Sequence, residues 1–227
     1  VAENLALDEA LLIEADAGRG ERVLRIWEPV DYALVLGASR RLLDDVLFDA
    51  CRADGVAVLR RTSGGGTVVV GPGTLNVTVI LPATAAPGLT TVDGAQGYVL
   101  DWLARAIAAV GVPVTVAGLG DLVVGSRKCG GSAQRRLKDW FMVHCSILYD
   151  FPIDRIVRYL ALPRRQPDYR QGRRHEDFLR NLGLPRKILA EAIRGEHMAG
   201  ACPAAALALI PALLAEKFAN RIWIERF

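Results

Sequence analysis

Three consecutive glycines, Gly64, Gly65 and Gly66, sit between the pair Arg60-Arg61 and the β-branched run Thr67-Val68-Val69-Val70. Glycine has no Cβ, so the backbone here can take φ values that other residues avoid, and another group can lie directly on the main chain. Val56 and Val58 precede the glycines. Val77, Val79 and Ile80 follow a second turn, Gly71-Pro72-Gly73. Such residues favour strands. The stretch 60–76 therefore predicts two strands with a glycine floor and with Arg60 and Arg61 at its mouth. A guanidinium fork beside exposed backbone N–H groups suits a phosphate or a carboxylate. A glycine-rich hairpin with no ligand satisfies the same composition, and this stretch alone does not separate the two.

The rest of the chain bounds what such a site can serve. Its 227 residues, 52% apolar, suffice for one large domain with a substantial core. A net charge of +3 gives no reason to expect nucleic acid. Cys51, Cys129, Cys145 and Cys202 are widely spaced, no CxxC occurs, and only three histidines are present, so zinc-ligand spacing is absent. With no secretory signal in the sequence, free thiols in a reducing cytoplasm are expected. Residues 198–215 carry no charge but are rich in alanine and contain Pro203 and Pro211. A membrane span needs about 20 strongly apolar residues. A buried or half-buried helix is expected instead, and no membrane partner. Residues 155–174 hold seven arginines and one acid, Asp168. This segment is either a surface for an acidic protein or a solvated basic face.

Periodicity predicts a helix over 4–16, with Leu7, Leu11 and Ala15 on one face and Asp8 and Glu9 off it. A strand pair, 22–28 and 32–36, follows around Pro29. A helix over 42–53 leads to strands at 56–60 and 74–81. The clearest helix is 92–110, where Val99, Trp102, Leu103, Ala106, Ile107 and Val110 recur at i, i+3, i+4 spacing. Strands are expected at 112–116 and 119–124, with a hairpin of 127–136 into 140–149. The last third is predicted helical at 153–160, 175–181, 185–193 and 203–218, before a closing strand at 221–226. The class is α+β, a mixed sheet flanked by helices, in a single domain over 1–227 whose residues 151–227 form a helical extension.

A second informative stretch is 120–136, GDLVVGSRKCGGSAQRR. The chain has 24 arginines but four lysines: Lys128, Lys138, Lys187 and Lys217. Retaining Lys128 between an apolar strand and a glycine turn suggests a need for a primary amine, a compact charge that can follow an oxygen through a reaction.

These two stretches carry a resemblance. Arg60-Arg61-Thr62-Ser63-Gly64-Gly65-Gly66-Thr67-Val68 resembles the RR-x-[ST]-GGG-x-V motif of the lipoate–protein ligase A family. Gly120-Asp121-Leu122-Val123-Val124, Arg127-Lys128 and Gly131-Ser132-Ala133-Gln134 resemble that family's second motif. The similarity runs from the N-terminal region to Asp150, in order and without a large gap.

The resemblance implies the biotinyl/lipoyl protein ligase catalytic-domain fold and a two-step reaction. Lipoate and ATP give lipoyl-adenylate and pyrophosphate. A lysine of an acceptor lipoyl domain then attacks the activated carbonyl. It further implies that Arg61, Gly66, Thr67, Val68, Val69, Asp121 and Lys128 hold the nucleotide. Ser63, Gly64, Gly65, Gly66, Lys128, Ser132, Ala133 and His144 would hold lipoate, with Lys128 as the catalytic residue and Asp121 near the adenylate or Mg²⁺. The partner would be an acidic lipoyl-domain protein, received by Arg164, Arg165, Arg170, Arg173 and Arg174. A separate small accessory subunit would stand in for the small C-terminal domain of many members.

Val70-Gly71 stands where members often carry His-Asp. Gly71-Pro72-Gly73 is closer to a turn of the octanoyltransferases in the same superfamily, which work through a cysteine thioester. Cys129 and Cys145 lie near the site, in strand registers that face a core. The stretch 167–178 resembles a tail on a bacterial branch of these ligases. An ATP-dependent ligase is therefore expected, with a cysteine-dependent octanoyl or lipoyl transferase, or a non-catalytic protein that binds lipoyl domains, as alternatives.

Overall fold

The computed structural model describes residues 1–195 and 200–226. Met198 and Ala199, which open the uncharged stretch, lie outside them. Among the described residues nine strands form two sheets. The larger has six antiparallel strands: β1 (Val23–Trp27), β5 (Thr74–Pro82), β9 (Trp140–Leu148), β8 (Arg127–Arg136), β7 (Asp121–Val124) and β6 (Val114–Ala117), in that spatial order. The smaller is mixed. Its central β2 (Ala33–Leu36) runs parallel to β3 (Ala57–Arg60) and antiparallel to β4 (Val68–Val70). The expected α+β class with helices flanking a sheet is thus observed, and strand mixing is confined to the small sheet.

Helix α4 (Val92–Ala108) covers one face of the large sheet. Its Val99, Leu103 and Ile107 are buried against Val77, Cys129, Val143 and Cys145. Helix α7 (Arg186–Arg194) packs outside it. On the opposite face lie α1 (Ala2–Asp16) and α8 (Ala204–Leu213), which continues through Pro211 into a π-helical turn, Leu214–Phe218. No helix among the described residues is long and apolar enough to cross a membrane.

Several expectations are corrected. The strands 22–28 and 32–36 are not a pair: β1 joins β5, while β2 is the centre of the other sheet. The helix over 42–53 is two helices, α2 (Leu42–Asp45) and α3 (Phe48–Ala53), because Val46 between them is extended and bridges Leu160. Asp8 and Glu9 are buried, not solvent-facing, since α1 is enclosed between the sheet and the C-terminal helices. Asp8 accepts hydrogen bonds from Arg25 at 2.7 Å and Thr78 at 2.8 Å, and Glu9 from Lys217 at 2.6 Å. The closing strand is instead a helix, α9 (Arg221–Glu225), whose first turn is capped by Asn220 accepting from the Ile222 N–H.

Arg60 explains what holds α9. It is fully buried, not at a ligand mouth. Its guanidinium donates to the carbonyls of Gly37 and Arg40 and to those of Trp223, Ile224 and Arg226. One side chain thus ties the C-terminal segment to the loop beside the glycines.

Candidate active site

Residues of the two sheets face each other across a seam, and the glycine loop lies along it. Gly37 follows β2 and passes so close to the loop that a Cβ on it would stand 2.2 Å from the Gly65 oxygen. The loop is held by Arg61, also buried. Its nitrogens donate to the carbonyls of Val35 at 3.1 Å, Gly64 at 2.6 Å and Gly66 at 2.8 Å, and to Ser63 Oγ at 3.0 Å. Burial, with Arg40 nearby, pulls the Arg61 guanidinium down to about 10, so it stays charged at neutral pH. Arg61 therefore shapes the ledge from behind and lines only the inner cavity described below.

Lys128 reaches the seam because of an irregularity in β8. Gly131 and Ala133 pair with Ser146 and His144 on the face toward α1. Strict alternation from them would turn Lys128 toward α4. The ladder shifts by one residue, however, with Leu122 opposite Gly130 and Val123 opposite Lys128. Cys129 is the extra residue of this β-bulge. It packs under α4 while Lys128 turns into the seam.

There Lys128 Nζ lies 2.6 Å from Asp121 Oδ1, and the Tyr169 hydroxyl donates to Asp121 Oδ2 at 2.6 Å. Burial and the Asp121 carboxylate push the Tyr169 hydroxyl well above the usual phenol value. Gly131 leaves room for the amine: a Cβ there would sit 2.8 Å from Nζ. Ser132 accepts from Gln96 at 2.7 Å and donates to the Gly120 carbonyl at 2.8 Å, fixing the β7 entry.

Two connected cavities open on this amine. An outer cleft of about 1050 Å³ is lined by Gly64, Gly65, Gly66, Thr67, Val68 and Val69 on one side, and by residues of the extension between Leu160 and Leu179 on the other. An inner cavity of about 180 Å³ runs between the sheets past Ala133 and His144 to Trp27 and Asp8. Lys128, Asp121, Gly131, Ser132 and Ala133 line both. His144 Nε2 is 2.6 Å from Ser63 Oγ, and burial pushes the imidazole down to about 3, so it is neutral.

The structure thus gathers every expected site residue at the seam, with two differences of role. Ser63 is buried under the ledge, engaged with Arg61 and His144, and forms no part of either cavity wall. Asp121, expected near the adenylate or Mg²⁺, has Lys128 on one oxygen and Tyr169 on the other. Among the described residues no three His, Cys, Asp or Glu side chains cluster as a metal site. Sequence reasoning missed Tyr169, Gln96 and Arg40. Arg40 lines the outer cleft and donates to the Gly65 carbonyl at 3.3 Å. Nothing in local spacing links these three to the glycine or lysine motifs. Of the expected docking arginines, Arg164, Arg165 and Arg174 are exposed. Arg170 is buried beneath the extension, donating to the Arg173 carbonyl.

Comparison with known proteins bears on the family and the fold. The octanoyltransferase LipM of Symbiobacterium thermophilum is 29% identical over 95% of this chain and 86% of its own length. The lipoate-protein ligase LplJ of Bacillus subtilis is 26% identical over 70% of this chain and 46% of its own. The chain spans about half the length of the first curated relatives it matches. Among solved structures, a bi-partite lipoate protein ligase from Thermoplasma acidophilum, described with its E2 lipoyl domain, superposes with a TM-score of 0.84. It is 17% identical, with 100% of this chain and 92% of that one covered. A lipoate-protein ligase A bound with ATP gives 0.84 at 17% identity, covering 99% and 93%. Plasmodium falciparum LipL1 in complex with lipoate gives 0.73 at 17%, covering 100% and 71%. These likenesses show that the fold is that of lipoate protein ligases. The model of the lipoyl protein ligase A/B catalytic domain matches residues 1–182, and the chain belongs to that family.

Proposed function

We propose that this chain is an ATP-dependent lipoate–protein ligase, active on lipoate or octanoate. The observation that carries the reading is the position of Lys128 where a roomy outer cleft meets a narrow inner cavity. The outer cleft has room for a nucleotide, and the inner one for an eight-carbon acyl tail. ATP and lipoate are each present in structures of the same fold.

In the first step a carboxylate oxygen attacks the α-phosphorus, the bond to the β-phosphate oxygen breaks, and pyrophosphate leaves. Two anions are brought together, so a cation at their meeting point lowers the barrier. Lys128 provides it, and Asp121 holds the amine in place meanwhile. Backbone N–H groups of the ledge, from Gly66 to Val69, face the phosphates, while the acyl tail passes Ala133 toward neutral His144. In the second step an acceptor lysine attacks the acyl carbonyl and AMP departs with its oxygen. The acceptor is a lipoyl domain with an acidic surface, met by Arg164, Arg165 and Arg174. Salt that weakens acceptor binding tests that charge pairing. A Mg²⁺, if used, would be held by the nucleotide's phosphates and water. We place the reaction in the cytoplasm, with a separate small accessory subunit completing it, as the bi-partite ligase suggests.

A second reading, octanoyl transfer through a cysteine, is favoured by the long match to an octanoyltransferase. Against it, neither cavity wall includes a cysteine. Burial pushes the Cys129 thiol up to about 12, and Cys145 is raised further. Pyrophosphate exchange into ATP with lipoate present, run with the chain alone and with cell extract, separates the readings. Acyl transfer from octanoyl carrier protein without ATP, lost in Cys129→Ser, would establish the second.

A further inference from the structure

The extension beyond β9 supplies a wall of the cleft and reaches the lysine's surroundings in two places, at the Lys128 backbone and at Asp121. Its backbone crosses beside β8: Leu179 bridges Lys128, and the Arg180 N–H donates to the Lys128 carbonyl at 2.9 Å. Its 3₁₀ turn, Asp168–Arg170, delivers the Tyr169 hydroxyl to Asp121.

The residues between these grips close on one another. Phe178 is buried, with the Tyr169 ring 5.3 Å away and the Arg170 and Arg173 guanidinium groups over its face. Arg170 donates to the Arg173 carbonyl. Arg173 donates back to the carbonyls of Tyr169 and Arg170 and across to that of Ser126 beside β8. Arg127 donates to the carbonyls of Glu176 and Leu179. Within the basic run, Arg170 and Arg173 are therefore spent on carbonyls of their own turn and of the lysine hairpin.

We propose that residues 167–180 are a clasp and that Tyr169 is a positioning residue for Lys128, acting through Asp121. A carboxylate on a short side chain can rotate. With one oxygen fixed by Tyr169, the other presents a single direction to the Lys128 ammonium. The Tyr169 hydrogen bond also takes part of the carboxylate's charge, which leaves the ammonium free to turn toward an incoming anion. This proposal rests on the reading of Lys128 as the charge-stabilising group, so its test needs a signal that does not depend on turnover.

Tyr169→Phe removes one oxygen and keeps the ring against Phe178. The direct signal is the rate at which acetic anhydride acylates Lys128, read by peptide mass spectrometry and normalised to exposed Lys138 in the same full chain. Relieved of Tyr169, Asp121 concentrates its charge on Lys128, and acylation slows about threefold or more. In an Asp121→Asn background, Tyr169→Phe then changes nothing. A Lys128 labelling rate that is unchanged or faster in Tyr169→Phe, or slowed equally in both backgrounds, overturns the proposal. Adenylate formation is measured alongside: kcat falls about tenfold, as for one lost hydrogen bond, with KM for ATP and lipoate within about twofold. If labelling behaves as expected but the wild-type chain with extract makes no adenylate, the clasp stands and the ligase reading falls.

Discussion

Gly131 and Lys128 occupy one space: a Cβ on Gly131 would lie 2.8 Å from the Lys128 Nζ and 3.0 Å from its Cε. Gly131→Ala therefore displaces the amine from the seam. Pyrophosphate release is expected to fall at least about tenfold, through kcat. Gly97→Ala, in α4 with nothing within 4 Å of the added carbon, raises stability by about 0.5–1 kcal/mol in urea unfolding.

Lys128→Ala removes the cation at the junction. Loss of one charge-stabilising donor costs about 10²–10³ in rate, and lipoyl-adenylate formation should fall by that order. A near wild-type rate in single-turnover quench would show that the amine is not the group that matters.

The thiols give a chemical check on the rival mechanism. Cys51, Cys129 and Cys145 are buried and Cys202 is exposed. Iodoacetamide on the native chain should label Cys202 and spare the other three until denaturant is added. Cys129→Ser should keep acyl transfer within about threefold, since its sulfur faces α4.

Arg60 predicts a stability effect rather than a binding one. Arg60→Met leaves the buried Gly37 carbonyl and part-buried carbonyls on the C-terminal segment without their donor, and a buried group left unpaired costs about 1–3 kcal/mol. A loss of about 3 kcal/mol or more in unfolding free energy is expected, and limited proteolysis should cut first near α9.

His144 makes stability fall on acidification. Its folded pKa, about 3, is below the unfolded value of about 6.5. The unfolded chain thus binds a proton first as pH drops. The contribution is complete above about pH 6.5 and is lost progressively toward pH 3. Between pH 7 and pH 5, His144→Gln should lose about 1–2 kcal/mol less than the wild type in urea unfolding, water in the inner cavity reducing the full effect.

Much of the site was legible because its chemistry is local. The glycine ledge, the DLVV strand and the lysine hairpin are contiguous segments whose residue types state what they need: no Cβ, a buried strand, a primary amine. Cys145 as a core residue also followed from its strand setting, whereas Cys129, likewise in the core, reaches it through the bulge. The misreadings share a different cause. Val23–Trp27 and Ala33–Leu36 are adjacent and strand-like, but which strand each joins depends on residues between 24 and 57 positions away. Residues 221–226 centre on the apolar run Ile222-Trp223-Ile224, which reads as a short strand, but the Asn220 cap takes the Ile222 N–H and the buried Arg60 takes carbonyls of the same segment, which is helical.

The sequence by itself determined which side chains exist to do the chemistry: a ledge without side chains, a few amines among many guanidinium groups, and an apolar scaffold on both sides. Only the tertiary structure decided that the amine faces the ledge. Side-chain direction in a strand inverts with one inserted residue, and the bulge at Cys129 is a property of how β8 pairs with β7. For the same reason Arg60 became an anchor and Tyr169 a partner of Asp121, since each is defined by a contact between segments far apart in the chain.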